Sequence, residues 1–211
     1  MDTNTFKVYY FSFNGRAALI RAILSCGGVQ FENHLIDMAK DWPTIKKSGL
    51  CEFEQVPVLV HGDKKFAQSA AIYLYLAKYF KFYGNNIDEQ YQIDSLIASI
   101  DDVIPHLYPL LYPKNDEEKN NKPKYEKIYK EFLEFLLKIF EERYKKLGFG
   151  NYFLGDHFSL ADIFFGVQMM GFVAAVKEDI MSTCAPNLKK LVERLKQKEL
   201  KEFYEKYLLP Q

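Results

Sequence analysis

Cysteine is scarce in this chain. Cys26, Cys51 and Cys184 are far apart, and no C-x-x-C pair occurs. That pattern argues against a zinc cluster, a disulfide framework and a protein dithiol that exchanges disulfides. A dominant charge is also missing. Lysine plus arginine number 28, and aspartate plus glutamate number 28. No overall field therefore draws the chain to nucleic acid or to an anionic membrane. Apolar runs fall far short of a bilayer span. The opening Met1-Asp-Thr-Asn-Thr5 is polar and lacks the apolar core of a secretory leader. A reduced, cytoplasmic setting fits these absences. Tryptophan is limited to Trp42, but Phe and Tyr are plentiful at 18 and 15. They are spread through periodic segments, the pattern of core packing.

What is present falls into two parts. Phe6 to Phe11 is rich in strand formers. Asn14-Gly15 breaks it, and Arg16 to Cys26 follows with helical apolar spacing, ended by Gly27-Gly28. Val29 to Ile36 predicts a second strand, which implies a parallel pair with a right-handed crossover. Asp41-Trp-Pro43 reads as a helix start, with Asp41 as N-cap. Pro57–Val60 and Lys64–Ala67 flank a His61-Gly-Asp63 turn, a hairpin signal. Ser69 to Phe80 predicts a helix. Beyond Tyr83 everything looks helical. One long helix is expected over 88–111, a solvated loop over 114–124, an amphipathic helix over 125–147 and a last helical region over 187–207. Ser159-Leu-Ala-Asp162 is a capping-box pattern, assigned to folding rather than chemistry. The predicted fold is α/β plus all-α. An N-terminal thioredoxin-like domain (βαβαββα) covers 1–83, and a helical bundle domain covers 84–211.

The most informative stretch joins Phe53-Glu-Gln-Val-Pro-Val-Leu59 to Ala67-Gln-Ser-Ala-Ala-Ile-Tyr73. A strand entered through proline offers a free backbone edge. A helix with Ser69 as hydroxyl cap offers a carboxylate site at its N-terminus. Together they suit a small anionic peptide. Where a thioredoxin-like disulfide exchanger would carry C-x-x-C, this chain has Ser12-Phe-Asn-Gly15. What remains is a platform for another molecule's thiol. Strand periodicity leaves both Tyr9 and Tyr10 open as the residue facing it.

Tyr10-Phe-Ser-Phe-Asn-Gly-Arg-Ala-Ala-Leu-Ile-Arg21 resembles the opening of cytosolic glutathione S-transferases. Asp41-Trp-Pro-x-Ile-Lys46, Gln55-Val-Pro57, Gln68-Ser69 and Asp101-Asp102 resemble the sigma class, which includes haematopoietic prostaglandin D synthase. The resemblance implies a homodimeric enzyme that activates glutathione as thiolate against hydrophobic electrophiles, in detoxification, with no metal required. It implies Tyr10 as donor to the sulfur and Arg16 as the neighbouring cation. Val56, before a cis Pro57, would pair with the cysteinyl backbone. Gln68 and Ser69 would hold the γ-glutamyl end. Trp42, Lys46 and Gln55 would receive the glycine end, Gln55 standing where relatives often carry lysine. Asp102 would reach glutathione in the neighbouring subunit. Phe53 and Asp101 would lie at the dimer interface. Phe11, Phe13 and Tyr108 would line the electrophile site. Asn14 and Ala18 depart from the arginine and glutamate of the family opening. Pro109 falls about where prostaglandin D synthases carry a tryptophan. Alternatives are a glutathione-dependent isomerase or peroxidase, or a non-catalytic ligand-binding or structural relative.

Overall fold

The computed structural model describes residues 5–207, so part of the polar N-terminal stretch lies outside the described residues. The chain divides into two compact units after Tyr83, and the segment from Lys196 on belongs with the first.

The first unit is built on β1 (Phe6–Phe11), β2 (Phe31–Ile36), β3 (Val58–His61) and β4 (Lys64–Phe66), in the order β2-β1-β3-β4. β1 and β2 run parallel; β3 is antiparallel to both β1 and β4. This is the thioredoxin-like arrangement. The crossover from β1 to β2 contains a single 3-10 turn, Gly15–Ala17, and α1, Ala18–Cys26. Leu19, Ile20, Ile23 and Leu24 of α1 are completely buried, so the helix supplies much of this unit's core. α2 (Trp42–Ile45) follows β2, and α3 (Ser69–Tyr79) follows the hairpin.

α2 departs from the sequence reading in one detail. Asp41 occupies the N-cap position but its side chain caps nothing there; it accepts from the Asp37 N–H at 3.0 Å. Asp37 in turn accepts from the N–H groups of Ala39 and Lys40, both at 2.8 Å, and holds the preceding turn.

The second unit is helical. α4 (Ile87–Leu111) starts at Asn86, whose side chain accepts from the Glu89 N–H, and it carries Pro105 and Pro109 in its interior. The charged stretch expected as a loop instead contains α5, Asp116–Asn120. Asn115 caps it, and acidic residues fill its first turn, where the helix dipole favours them. α6 (Lys122–Lys146) follows directly and packs along α4. α7 (Leu160–Ile163) begins at the expected capping box. A buried π-helical stretch, Phe164–Met169, continues from it into α8, Met170–Val173. α9 is Ile180–Cys184 and α10 is Pro186–Gln197. Glu141 of α6 accepts from the N–H groups of Asn187 and Leu188 at 3.1 and 3.0 Å, serving the open start of α10.

The last helix, α11 (Lys201–Tyr207), packs against α1 with Phe203 fully buried. The Cys26 thiol also meets the Glu199 carbonyl at 3.5 Å. These contacts explain why the terminal segment joins the first unit rather than the helical one. No helix among the described residues is long and apolar enough to cross a membrane.

Candidate functional site

The loop between β1 and α1 carries the first group of residues. The Tyr10 ring is buried at 6% exposure, and its hydroxyl accepts from the Arg16 backbone N–H at 3.1 Å. Tyr9 points to the other face of the strand, as alternation requires, and stacks on His34 at 4.4 Å between ring centroids. The backbone thus separates two tyrosines that the sequence pattern left equivalent. Gly15 has a φ of +40°, and a Cβ there would stand 2.6 Å from the Tyr10 hydroxyl oxygen. Only glycine lets the chain turn so close to that oxygen. The Asn14-Gly15 pair, read in the sequence as a strand breaker, therefore also shapes the tyrosine's surroundings.

Arg16 links this loop to α3. Its Nη1 lies 3.3 Å from the Ser69 hydroxyl, and its carbonyl accepts from Tyr73 Oη at 2.6 Å. Ser69 differs from its expected role: Gln68 is the N-cap, and Ser69 is the first helical residue. The Ser69 hydroxyl therefore faces Arg16 rather than closing its own helix. Among the described residues, nothing takes the backbone N–H groups of Ser69 and Ala70. Those N–H groups and the dipole of α3 form a seat for an anion. Gln68 sits at φ +67°, ψ 109°, a conformation that costs an L-residue about 1–3 kcal/mol. That bend exposes Gln68 and turns the first N–H groups of α3 outward.

The Val56–Pro57 peptide bond is cis, as the resemblance implies. Tyr9 pairs with Val58, so Pro57 and Val56 run beside the end of β1 that carries Tyr10. Among the described residues, no hydrogen bond uses the Val56 N–H or carbonyl. They remain open to an extended ligand.

Trp42 is half-buried and meets Phe11 edge-on at 5.6 Å. Phe11 stacks on Phe13 at 5.7 Å, and Phe13 meets Tyr10 edge-on at 5.5 Å. These rings form a continuous aromatic patch at one end of the sheet. Lys46 pairs with Glu54 at 3.5 Å, both largely exposed, a contact worth little in water. Gln55 is exposed in the same loop, and Phe53 is 52% exposed. Tyr10, Phe11, Phe13, Arg16, Trp42 and Ser69 are thus connected by direct contacts. Asp101, Asp102 and Tyr108 lie in the second unit, each exposed on α4.

Arg21 is the residue whose weight the sequence did not reveal. It is 2% exposed, and burial pushes its guanidinium below the ordinary arginine range. It donates to the carbonyls of Phe13 and Phe11 at 3.1 and 3.3 Å, and to the side-chain oxygens of Asn14 and Asn33 at 3.3 and 3.1 Å. These bonds fix the shape of the loop that presents Tyr10 and Phe13. In the sequence Arg21 stands in an apolar run, and a cation there is the one sign of such a task.

Known proteins supply an independent comparison. Residues 5–78 match the family profile described as glutathione S-transferase, N-terminal domain, and residues 101–207 match glutathione S-transferase, C-terminal domain. Human glutathione S-transferase A1 is 31% identical over 191 residues, covering 90% of this chain and 82% of the relative. The solved prostaglandin synthase D of Nilaparvata lugens is 30% identical with a TM-score of 0.81, covering 98% of this chain and 100% of that one. A monomeric glutathione S-transferase of the hookworm Necator americanus is 26% identical with a TM-score of 0.78, covering 98% of this chain and 99% of that one. The thioredoxin-like unit followed by a helical one defines a transferase of the glutathione-dependent class. The chain belongs to the glutathione S-transferase family.

Proposed function

We propose that Tyr10 activates the glutathione thiol for attack on hydrophobic electrophiles, in a cytoplasmic, sigma-like detoxifying enzyme. The observation that carries this reading is the Tyr10 hydroxyl, buried beside the loop and accepting from the Arg16 N–H. That acceptance polarises its own O–H toward the sulfur. A donor to sulfur favours thiolate over thiol. Free thiols titrate near 8.5, and a drop of about two units requires roughly 2.7 kcal/mol of preference for the charged form. The Arg16 guanidinium contributes to that preference. The thiol proton leaves to solvent, the sulfur forms a bond to the electrophilic carbon, and the leaving group departs with its electron pair.

Binding follows from the open backbone groups. Val56 pairs with the cysteinyl peptide. Gln68, Ser69 and the start of α3 hold the γ-glutamyl carboxylate. The glycine carboxylate competes with Glu54 for Lys46, beside Trp42 and Gln55. Phe11, Phe13 and Tyr108 take the electrophile. Asp102 serves glutathione bound in a second copy. The sigma-class reading rests on the Trp42 and Pro57 motifs. Free cysteines among the described residues support a reducing, cytoplasmic setting. Prostaglandin isomerisation is a second reading, supported by the likeness to the Nilaparvata protein; Pro109 weighs against it.

Retention on immobilised glutathione tests the binding shell. Conjugation of an activated aryl halide tests the chemistry: Tyr10→Phe should lose about 10- to 100-fold in turnover at neutral pH. Undiminished turnover in that variant sinks the role given to Tyr10.

We assign a homodimer on two exposed apolar features. Phe53 projects from its loop, and a groove of about 640 Å³ on the helical unit sets Phe135, Ile139 and Leu147 among charged side chains that include Lys138, Glu142 and Arg143. Phe53→Ala should shift the sedimenting species toward monomer at micromolar concentration. A wild-type chain that sediments as monomer ends this assignment, and with it the role of Asp102.

A further inference from the structure

The loop that presents Tyr10 has little packing of its own. Ser12, Phe13 and Gly15 are exposed, and besides the Phe13 ring contacts and the bonds of Arg16 to Tyr10, Ser69 and Tyr73, the loop is held by two side chains, Arg21 and Asn14. Both reach the far end of the chain. The Asn14 amide donates from Nδ2 to the Tyr207 carbonyl at 3.1 Å, across 193 positions of sequence. The Arg21 guanidinium carbon stands 5.9 Å from the Tyr10 ring centroid and 6.0 Å from that of Tyr207. Tyr207 is itself held, stacked on Phe31 at 6.2 Å and close to Phe203 at 5.4 Å. Asn14 stands where the family opening has arginine, so this amide link to Tyr207 is a feature of this chain's own sequence.

We propose that Tyr207 is a positioning residue for thiol activation: the end of α11 anchors the β1–α1 loop through Asn14 and Arg21, and so holds the Tyr10 hydroxyl in place. Tyr207 touches neither substrate nor reacting atoms in this scheme. Its carbonyl fixes Asn14, and Asn14 accepts from the Arg21 guanidinium that ties down the Phe11 and Phe13 carbonyls. Its ring also covers the guanidinium, a favourable contact when desolvated. Misplacing a catalytic group by about 1 Å can cost a large factor in rate. Loosening this anchor should therefore weaken the hydrogen bond to sulfur before it weakens the grip on glutathione. The inference rests on the reading of Tyr10 as the thiol donor.

The test uses the full chain with glutathione as ligand. The ultraviolet absorbance of bound thiolate is followed against pH in Tyr207→Ala, Tyr207→Phe, Asn14→Ala and Tyr10→Phe. Tyr207→Ala and Asn14→Ala should each raise the midpoint by about half a unit to one unit, a several-fold loss of thiolate at neutral pH. The KM for glutathione should stay within about twofold in both, because the open backbone at Val56 and the start of α3 are untouched. Both Tyr207 variants keep the backbone carbonyl; Tyr207→Ala loses the ring contacts to Arg21, Phe31 and Phe203 that seat it, whereas Tyr207→Phe keeps them and should match wild type. Should Tyr207→Ala fail to fold, Asn14→Ala asks the same question from the loop side. A midpoint unmoved in Tyr207→Ala and Asn14→Ala, with Tyr10→Phe raising it, overturns the anchor and spares Tyr10, even if thermal stability falls. A midpoint raised by the anchor variants but not by Tyr10→Phe removes Tyr10 as the donor and, with it, the anchor as proposed. No movement in any variant overturns both.

Discussion

Arg21 in the first unit and Asp162 in the second are both ionisable, both out of water, and both held by neutral groups. Arg21 donates to backbone carbonyls and amide oxygens around one loop. Asp162 accepts from the Phe153 N–H at 2.8 Å, the Ser159 N–H at 2.9 Å and the Ser159 hydroxyl at 3.0 Å. The difference lies in what each one fixes. Arg21 shapes the loop that carries Tyr10, so its bonds reach the residue proposed to activate the thiol. Asp162 closes the start of α7, so its bonds reach the fold. One kind of interaction thus serves the proposed thiol site in one unit and architecture in the other.

Substitutions should separate the two. Arg21→Met removes the donor from four oxygens that are at most part-buried, and should cost about 3–5 kcal/mol in denaturant unfolding. It should also raise the bound-thiol midpoint. A folded Arg21→Met with normal thiol titration would erase the contrast. Asp162→Asn should cost less, about 2–3 kcal/mol, because its amide turns a donor toward an N–H donor. Its kinetics should match wild type once folded.

The acid adds a finer test. Burial pushes the Asp162 carboxyl up to about 7, against donors that favour the ionised form. The folded chain then holds this proton more tightly than the unfolded chain, whose aspartates titrate near 3.9. The contribution of Asp162 to stability is therefore full below about pH 4 and fades as pH rises toward about 7. The stability gap between wild type and Asp162→Asn should narrow across that window. A gap that widens with pH would mean that the carboxylate, not the acid, is the buried form.

Much of this was legible in the sequence because it depends on local pattern. The strand run at Phe6, the Gly27-Gly28 stop and the Ser159 box each declare themselves within a few residues. Tyr10 became legible only beside the motif around it, since alternation treats Tyr9 and Tyr10 alike until the sheet has two faces. Three features resisted. The helix at Asp116 is short, and its charged composition resembles a solvated loop; its stability comes from the Asn115 cap. Ser69 looked like a cap because hydroxyls usually are, but the bend at Gln68 moved the helix start by one residue. The attachment of α11 to the first unit depends on contacts between residues nearly two hundred positions apart, which no window of sequence contains.

The buried cysteines carry a consequence of their own. Burial pushes the Cys26 thiol up to about 12, and raises Cys51 and Cys184 as well. An enzyme that gathers electrophiles beside an activated sulfur risks arylating its own side chains. Here the protein's sulfurs are kept protonated, while the proposed mechanism ionises the substrate's sulfur. On that proposal the chain would outlive the reagents it consumes, and a thiol-directed inhibitor would have to find its foothold on the bound tripeptide.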